Sequence, residues 1–305
     1  EVASNDGYLL KNFAARGMQI LGIEPTANTA AAAIKVGVPT VVRFFGVQTA
    51  SEIADSHGRA DLIIANNVLA HVPDIADFVA GFKHLLAPGG TATIEFPHLM
   101  RLIEQNQFDT IYHEHFSYLS LGALVPLFER HGLCIFDVEE LSTHGGSLRL
   151  FVRHDSDSRP TTDRFHALAR AERDFGLFEL STYQSFGERV KETKRLLLEF
   201  LIDAKRAGKR VVAYGAPGKG NTLLNYCGIG TDFIDYTVDR SPHKQGNFLP
   251  GTRIPIFHPD QIFQDRPDYV LILPWNLRTE IASQMSAIRE WGGRFVVPIP
   301  RVEAF

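Results

Sequence analysis

Residues 60–96 read ADLIIANNVLAHVPDIADFVAGFKHLLAPGGTATIEF, and they carry the clearest alternation of strand and helix signals in the chain. Two apolar runs, Ala60 to Ala65 and Thr91 to Phe96, are predicted strands, and Asp74 to Leu86 between them is a predicted helix. The Pro88-Gly89-Gly90 triplet ends this helix before the second strand. Strands that alternate with helices are typical of a parallel sheet covered by helices on both faces.

The same alternation continues on both sides of this segment. The upstream predictions are a helix at Tyr8 to Arg16, a strand at Met18 to Glu24, a helix at Thr26 to Val36 and a strand at Val38 to Arg43. The downstream predictions are a helix at Leu119 to His131 and strands at Cys134 to Leu141 and Ser147 to Arg153. We therefore predict an α/β domain with a Rossmann-like sheet over residues 1–155.

A second alternating region follows a helical one. Residues 160–206 are charged and helical in pattern, which predicts a helical connection over residues 156–207. The strand Val211 to Tyr214 then runs into the glycine-rich turn Gly215 to Gly220 and a helix from about Asn221 to Cys227. Further strands are predicted at Phe233 to Val238, Tyr269 to Leu273 and Arg294 to Pro298. This pattern predicts a second Rossmann-like α/β domain over residues 208–305.

The composition excludes several classes of protein. Among 305 residues, 31 basic and 35 acidic side chains give a formal charge of -4 without long runs of either sign, so we expect no nucleic-acid or membrane partner. Two distant cysteines, Cys134 and Cys227, support neither a disulfide framework nor a zinc cluster. No apolar run reaches the roughly 20 residues that span a bilayer. We expect a cytoplasmic protein of unknown oligomeric state.

The first predicted site lies after the first strands, because ligands of open parallel sheets bind beyond the strands' carboxyl ends. Glu1, Ala3, Asn5 and Gly7 occupy the register of an acidic-x-Gly-x-Gly-x-Gly turn, in which small residues let backbone amides approach a ligand. Glu24 ends the second predicted strand, where an acidic side chain accepts both hydroxyls of a ribose. Together they predict a binding site for a cofactor with an adenosine end.

The residues after the next two strands favour one class of cofactor. Asp61 to His71, with Asn66 and Asn67 at the strand end, and Leu85-Leu-Ala-Pro-Gly-Gly90 resemble the post-strand signatures of class I S-adenosylmethionine-dependent methyltransferases. The resemblance covers residues 1–96 and implies S-adenosylmethionine as the cofactor. The alternative is that Asn66, Asn67 and His71 only cap a helix.

A dense group of titratable and aromatic side chains occurs in Phe108-Asp-Thr-Ile-Tyr-His-Glu-His-Phe-Ser-Tyr118. Methylation at carbon needs a base for a proton next to a ketone, and histidine has a suitable pKa near neutrality. A metal site formed by His113 and His115 with Glu114 or His98 is an alternative. A third possibility is that these histidines are satisfied by backbone groups.

Two motifs make the resemblance more specific. Tyr112-His-Glu-His-Phe-Ser-Tyr-Leu-Ser120 and Thr143-His-Gly-Gly-Ser-Leu-Arg149 resemble those of sugar C-methyltransferases of the tetronitrose type, which act on a nucleotide-linked 4-keto sugar. The resemblance implies that His115 is the base and that Tyr112 and Glu114 help to form the sugar pocket. His113 and His144, from the same motifs, are predicted substrate ligands.

The resemblance extends through Tyr214 to Asn225 and Val238 to Gly246, so it covers nearly the whole chain. It also shows one departure, because Ala3 stands where the family usually has glycine, and its methyl group would crowd the cofactor if the position needs a positive φ. Family members carry a cysteine-rich zinc domain at the N-terminus. We expect zinc only in such an upstream domain and no metal in these residues.

The second glycine-rich turn predicts the nucleotide side of the site. Free amides at the start of the helix, with Lys219 and Asn221, would hold a diphosphate, and Arg149 or Lys244 would add charge. Asp239 would suit a nucleotide ribose or merely end a strand. The alternative is that the glycines only form a tight turn and that Lys219 is a solvated surface residue.

The sequence leaves four functions open. The first is C-methylation of a nucleotide-linked 4-keto deoxy sugar, and the second is N- or O-methylation of another small molecule. The third is a nicotinamide-dependent oxidoreductase with two nucleotide-binding halves. The fourth is a non-catalytic protein that binds sugar nucleotides, in which residues 112–115 are only a recognition surface.

Overall fold

The computed structural model describes all 305 residues, which form two compact units. The first unit comprises Glu1–Met100 and Glu114–Phe178, and the second comprises Arg101–His113 and Glu179–Phe305. Residues 101–113 therefore belong to the second unit, although sequence on both sides of them belongs to the first. The domain boundaries drawn from the sequence, after residues 155 and 207, remain a proposal.

Seven helices and six strands occur before residue 179. The helices are α1 (Leu10–Ala14), α2 (Ala27–Lys35), α3 (Val47–His57), α4 (Ile75–Leu85), α5 (Leu99–Glu104), α6 (Leu121–Arg130) and α7 (Asp163–Asp174). The strands are β1 (Gly22–Ile23), β2 (Thr40–Val41), β3 (Ala60–Asn66), β4 (Leu86–Pro97), β5 (Leu133–Leu141) and β6 (Ser147–His154).

The sheet of the first unit consists of two strand sets joined by the start of the chain. β1 and β2 are parallel neighbours, and the other set has the order β3-β4-β6-β5 with β6 antiparallel to both neighbours. Val2 forms a parallel bridge with Ile23, and its N–H donates to the Ile64 carbonyl at 2.8 Å. Residues 1–3 thus lie between β1 and β3, and the strand order reverses there. Such a reversal creates a ligand crevice beyond the carboxyl ends of the strands.

The remaining elements form the second unit together with residues 101–113. The helices are α8 (Leu180–Arg206), α9 (Gly218–Cys227), α10 (Asp260–Asp265) and α11 (Arg278–Gln284). The strands are β7 (Val211–Tyr214), β8 (Thr237–Val238), β9 (Ile256–Phe257), β10 (Tyr269–Ile272), β11 (Arg294–Val297) and β12 (Glu303–Ala304).

The sheet of the second unit has the order β12-β11-β10-β7-β8-β9, and only β12 is antiparallel to its neighbour. β7 comes first in chain order among the strands of this unit and lies in the middle of its sheet, so the order reverses between β7 and β10. This is the Rossmann order with its ligand crevice at the reversal. All four β7 side chains are buried, as a central parallel strand requires.

The predicted elements differ from the structure mainly at their ends. β1, β2 and β8 are only two residues long. The predicted helical region 160–206 is divided into α7 and α8, because Gly176 adopts φ +80° and ends α7 with a hydrogen bond from its N–H to the Arg173 carbonyl. β4 includes the predicted Pro88-Gly89-Gly90 turn as an irregularity in its pairing with β3. No helix is long and apolar enough to cross a membrane.

Candidate active site

The turn at residues 3–7 contains three residues with positive φ. Ala3 and Asn5 adopt left-handed φ values of +55° and +51°, and Gly7 has φ +79°. A Cβ on Gly7 would lie 2.8 Å from Val38 Cγ2, so only glycine fits that position. Ala3 therefore occupies a conformation that costs roughly 1–2 kcal/mol for a residue other than glycine.

Glu24 follows β1 and closes this turn from the other side. Its Oε2 accepts a hydrogen bond from the Asn5 backbone N–H at 3.2 Å, and its Oε1 accepts one from the Thr26 N–H at 2.9 Å. The side chain is buried. Each carboxylate oxygen can still accept a second hydrogen bond, so Glu24 retains the capacity to bind ribose hydroxyls.

Three further predicted cofactor residues lie at the same edge of the sheet. Asn66 ends β3, and Asn67 follows it with φ +53° and donates its N–H to the Glu95 carbonyl at 2.7 Å. The Oδ1 atoms of both asparagines are buried and have no hydrogen-bond partner. Glu1 also has a buried, unpartnered Oε2, and burial raises the pKa of its carboxyl from 4.5 to about 7. Buried acceptors without partners are uncommon and suit a ligand that donates hydrogen bonds.

The predicted base, His115, lies beside a second histidine. The ring centroids of His71 and His115 are 4.8 Å apart with the rings edge to face, and the ring of Tyr118 lies 6.0 Å from His115. His71 Nδ1 is 2.9 Å from the Glu114 carbonyl oxygen. Because a carbonyl only accepts hydrogen bonds, His71 Nδ1 is the donor in this contact.

The segment after His115 is fixed to the loop that follows β3. The N–H groups of Phe116 and Ser117 both donate to the Ala70 carbonyl, at 2.8 and 3.3 Å. The structure thus brings His115 and Glu114 to the loop that begins with Asn66 and Asn67. His71 ends the Asp61 to His71 segment that resembles the methyltransferase post-strand signature, but the sequence does not predict its contact with His115.

Tyr112 and His113 belong to the second unit, with ring centroids 6.5 Å apart, whereas Glu114 and His115 belong to the first. The predicted catalytic run therefore coincides with the passage of the chain from one unit to the other. His113 and Glu114 are exposed, and Tyr112 and His115 are partly exposed.

His144 and Arg149 flank the start of β6. His144 is exposed and has φ +55°, in a turn held by a 3.0 Å hydrogen bond from the Thr143 hydroxyl to Glu95 Oε1. Arg149 pairs with Glu95 at 2.8 Å and with Glu139 at 3.0 Å. Its positive charge is already balanced by these two carboxylates, so its predicted role as a substrate ligand has no support from local charge.

In the second unit, the glycine-rich turn lies at the reversal of strand order. Gly215 has φ +92°, and the Ala216 N–H donates to Asp239 Oδ2 at 2.8 Å. Lys244 Nζ donates to the Ala216 carbonyl at 3.0 Å. The turn leads directly into α9, whose first N–H groups have no partner within the helix. Near them, Asn221 Oδ1 is buried without a hydrogen-bond partner.

Lys219, in the first turn of α9, lies against the loop after β10. Its Nζ donates to Asn276 Oδ1 at 2.8 Å and lies 4.5 Å from the centre of the Trp275 ring. The Trp275 Nε1–H in turn donates to Asp109 Oδ2 at 2.7 Å. Burial lowers the pKa of Lys219, and the negative charge of Asp109 opposes this effect. Lys219 is therefore held in place by specific partners.

No group of three or more His, Cys, Asp or Glu side chains that could hold a metal ion is present. His98, one member of the alternative metal set, is instead buried against Glu172, with 2.8 Å between Nε2 and Oε1.

Comparison with known proteins gives two family matches. The family described as "C-methyltransferase C-terminal domain" matches residues 142–300, and the family described as "Methyltransferase domain" matches residues 1–138. The C-methyltransferase NovU of Streptomyces niveus is 41% identical over 300 residues, which cover 98% of this chain and 71% of NovU.

More distant relatives match only part of the chain. A ubiquinone biosynthesis O-methyltransferase of Rhodopseudomonas palustris (strain HaA2) is 30% identical over 95 residues, 31% of this chain and 37% of that protein. A solved S-adenosylmethionine-dependent methyltransferase from Anabaena variabilis aligns with a TM-score of 0.41 at 14% identity, over 50% of this chain and 75% of that one. The assignment depends on the family matches and on NovU. The chain belongs to the C-methyltransferase family and is an S-adenosylmethionine-dependent C-methyltransferase with a class I methyltransferase fold.

Proposed function

We propose that this enzyme methylates a carbon next to the 4-keto group of a nucleoside-diphosphate-linked deoxy sugar, as a step of deoxy-sugar biosynthesis, with His115 as the base. One observation carries the proposal. The ring of His115 lies 4.8 Å from His71, in a segment fixed to the loop after β3. A base at that edge of the sheet lies on the side where ligands of such sheets bind.

The residues of the first unit fit S-adenosylmethionine. When bound, this cofactor supplies an electrophilic methyl group on a positively charged sulfur. Glu24 would hold the ribose, and the unpartnered Oδ1 atoms of Asn66 and Asn67 would accept hydrogen bonds from a bound cofactor. Gly7 leaves room for the close approach of the turn, because a side chain there would strike Val38.

His115 starts the reaction by removing a proton from the carbon next to the ketone. The electron pair of the broken C–H bond forms an enolate, and bound S-adenosylmethionine would supply the methyl group to that carbon, with the electrons of the sulfur–methyl bond left on sulfur. General-base catalysis of this kind contributes roughly 10²–10⁴-fold to a rate. His71, oriented by the Glu114 carbonyl, packs against the His115 ring and limits its rotation.

The sugar contacts in this proposal come from the family resemblance. Tyr112 and Glu114 contribute to the sugar pocket, and His113 and His144 are further substrate ligands. The charge of Arg149 is balanced by its two carboxylate partners, so we expect its contribution to be smaller than theirs.

The second unit binds the nucleotide diphosphate in this proposal. Three features support it: the reversal of strand order between β7 and β10, the amides at the start of α9, and the ammonium group of Lys219. Asn221 contributes a buried Oδ1 that has no partner within the protein. Asp239 is occupied by the Ala216 N–H, so it shapes the turn.

A methyl-transfer assay tests the proposal. The chain is incubated with methyl-labelled S-adenosylmethionine and a thymidine-diphosphate-linked 4-keto deoxyhexose, and fragmentation mass spectrometry locates the label. We expect the label on a ring carbon, and a loss of roughly 10²–10⁴-fold in His115→Ala. The matched control is His166→Ala, which removes an exposed histidine from α7.

Two results would contradict the proposal. Label on an oxygen or nitrogen of the sugar would exclude carbon as the acceptor. Full activity of His115→Ala, with the control also active, would exclude His115 as the base.

A further inference from the structure

A buried pair of polar side chains in the first unit takes no part in the proposed chemistry. Glu172 of α7 is fully buried, and its Oε1 lies 2.8 Å from Nε2 of His98, which is also buried. A buried carboxylate requires several hydrogen-bond donors to offset the loss of water.

Glu172 finds its other donors at the start of α6. The Leu121 N–H donates to Oε1 at 2.7 Å, and the Gly122 N–H donates to Oε2 at 2.8 Å. α6 already has an N-cap of its own, since the Ser120 hydroxyl accepts from the Ala123 N–H at 3.3 Å. The carboxylate of Glu172, which comes 50 residues later in the chain, is thus an additional anchor for this helix end.

This helix end is continuous with the segment that carries His115. Leu119 is bridged to His98, and the Leu99 N–H donates to the Leu119 carbonyl at 2.9 Å. Four residues before Ser120, Phe116 is held by the Ala70 carbonyl at 2.8 Å. Residues 115–122 are therefore fixed at two places, near His115 by the loop after β3 and at the far end by His98 and Glu172.

We propose that Glu172 is a positioning residue that, with His98, fixes the segment 115–122 and thereby the imidazole of His115. The proposal rests on the proposed function, in which His115 is the base. The three donors define the geometry of the carboxylate, because His98 Nε2–H, Leu121 N–H and Gly122 N–H converge on its two oxygens. His98 Nδ1 is buried without a partner, so the contact with Glu172 through Nε2 is the hydrogen bond that holds the ring.

The replacement Glu172→Gln tests the positioning role of Glu172 with the smallest change in side-chain shape. A glutamine has one oxygen where the carboxylate has two, so in either orientation its amide NH₂ faces at least one of the two backbone N–H groups. The start of α6 must then shift, and a displacement of about 1 Å at a reacting group can cost about 10²-fold in rate. The matched control is Asp174→Asn, which removes an exposed carboxylate two positions further along the chain in α7.

The measurement separates positioning from general stability. We follow exchange of the substrate's proton next to the ketone with deuterated solvent, together with the dissociation constant of S-adenosylmethionine. For Glu172→Gln we expect exchange and kcat to fall roughly 10- to 100-fold, while cofactor affinity and KM stay within about twofold of the wild type, because the cofactor residues of the turn and β3 do not contact Glu172. His98→Gln, which keeps a donor near the position of Nε2, is expected to retain most activity, and His98→Leu to lose it.

Each failure has a distinct signature. Exchange by Glu172→Gln at the wild-type rate would overturn the positioning role and leave the proposed function intact. Parallel loss of exchange and cofactor affinity would also overturn it, since the pair would then only support the fold. Absence of exchange in the wild type, or undiminished exchange in His115→Ala, would refute the proposed function instead.

Discussion

Because the carboxyl of Asp109 is buried, we predict an unusual pH dependence of the free energy of unfolding of the second unit. Its side chain is fully buried, Oδ2 accepts a hydrogen bond from Trp275 Nε1–H, and Oδ1 has no partner. Burial raises the pKa of this carboxyl from 3.8 to about 7, against the opposing effects of the Trp275 hydrogen bond and the Lys219 charge. The replacement Asp109→Asn keeps the shape of the side chain and an oxygen that can accept the hydrogen bond from Trp275 Nε1–H.

The direction in which the free energy of unfolding changes with pH depends on whether the folded or the unfolded chain binds the proton of Asp109. Between pH 4 and 7 the folded protein keeps a proton on Asp109 that the unfolded chain has lost, so the free energy of unfolding falls as the pH rises. At about 1.4 kcal/mol per pKa unit, the loss is about 4 kcal/mol in full, of which about 2–3 kcal/mol falls between pH 5 and pH 8. The Asp109→Asn variant has no carboxyl to ionise at this position, so it lacks this pH-dependent loss of unfolding free energy. Its buried NH₂ adds an offset of about 1–3 kcal/mol that does not change with pH.

Urea unfolding followed by tryptophan fluorescence measures the free energy of unfolding at each pH. The chain has two tryptophans, Trp275 and Trp291, and both lie in the second unit, so the signal reports on that unit. The difference in unfolding free energy between Asp109→Asn and the wild type should change by about 2–3 kcal/mol in favour of the variant from pH 5 to pH 8. Asp203→Asn, an exposed change in α8, is the control. Parallel pH profiles for the wild type and Asp109→Asn would refute the reasoning.

Two further predictions concern the cofactor turn. Ala3→Gly should raise the free energy of unfolding by up to about 1 kcal/mol, because φ +55° is strained for alanine but not for glycine. Calorimetry should therefore show a higher melting temperature, and a lower one would contradict this prediction. Glu24→Gln should weaken S-adenosylmethionine binding roughly 10- to 100-fold, because it removes a charged acceptor for the ribose and leaves the Asn5 or Thr26 N–H facing an amide NH₂. Isothermal titration calorimetry measures the dissociation constant of S-adenosylmethionine, and an unchanged value would exclude Glu24 from the cofactor site.

The fold was largely predictable because its central strands have strong local signals. β7 has its predicted bounds, and β3 and β6 each extend one residue further than predicted. The predicted α/β fold, the enzyme class and the cofactor are confirmed by the family matches and by NovU. α3 was not predicted, since only Thr49, Ala50 and Ile53 of its eleven residues are buried and its apolar pattern is weak.

The parts that sequence could not predict depend on contacts between distant residues. Trp275 and Asp109 are 166 positions apart, and His98 and Glu172 are 74 apart, so no local pattern relates them. The assignment of residues 101–113 to the second unit has the same cause. The site residues themselves remain predictions, although the structure brings Asn66, Asn67 and His115 to connected parts of the first unit.

The measurement that tests the central claim most directly is proton exchange at the carbon next to the substrate ketone. The wild type and His115→Ala are incubated in deuterated water with the thymidine-diphosphate-linked 4-keto deoxyhexose and S-adenosylhomocysteine, which occupies the cofactor site without a methyl group to transfer. We predict that the wild type incorporates deuterium at the carbon that becomes methylated and that His115→Ala does so at least roughly 10²-fold more slowly. Deuterium incorporation at equal rates in both proteins would contradict the assignment of His115 as the base.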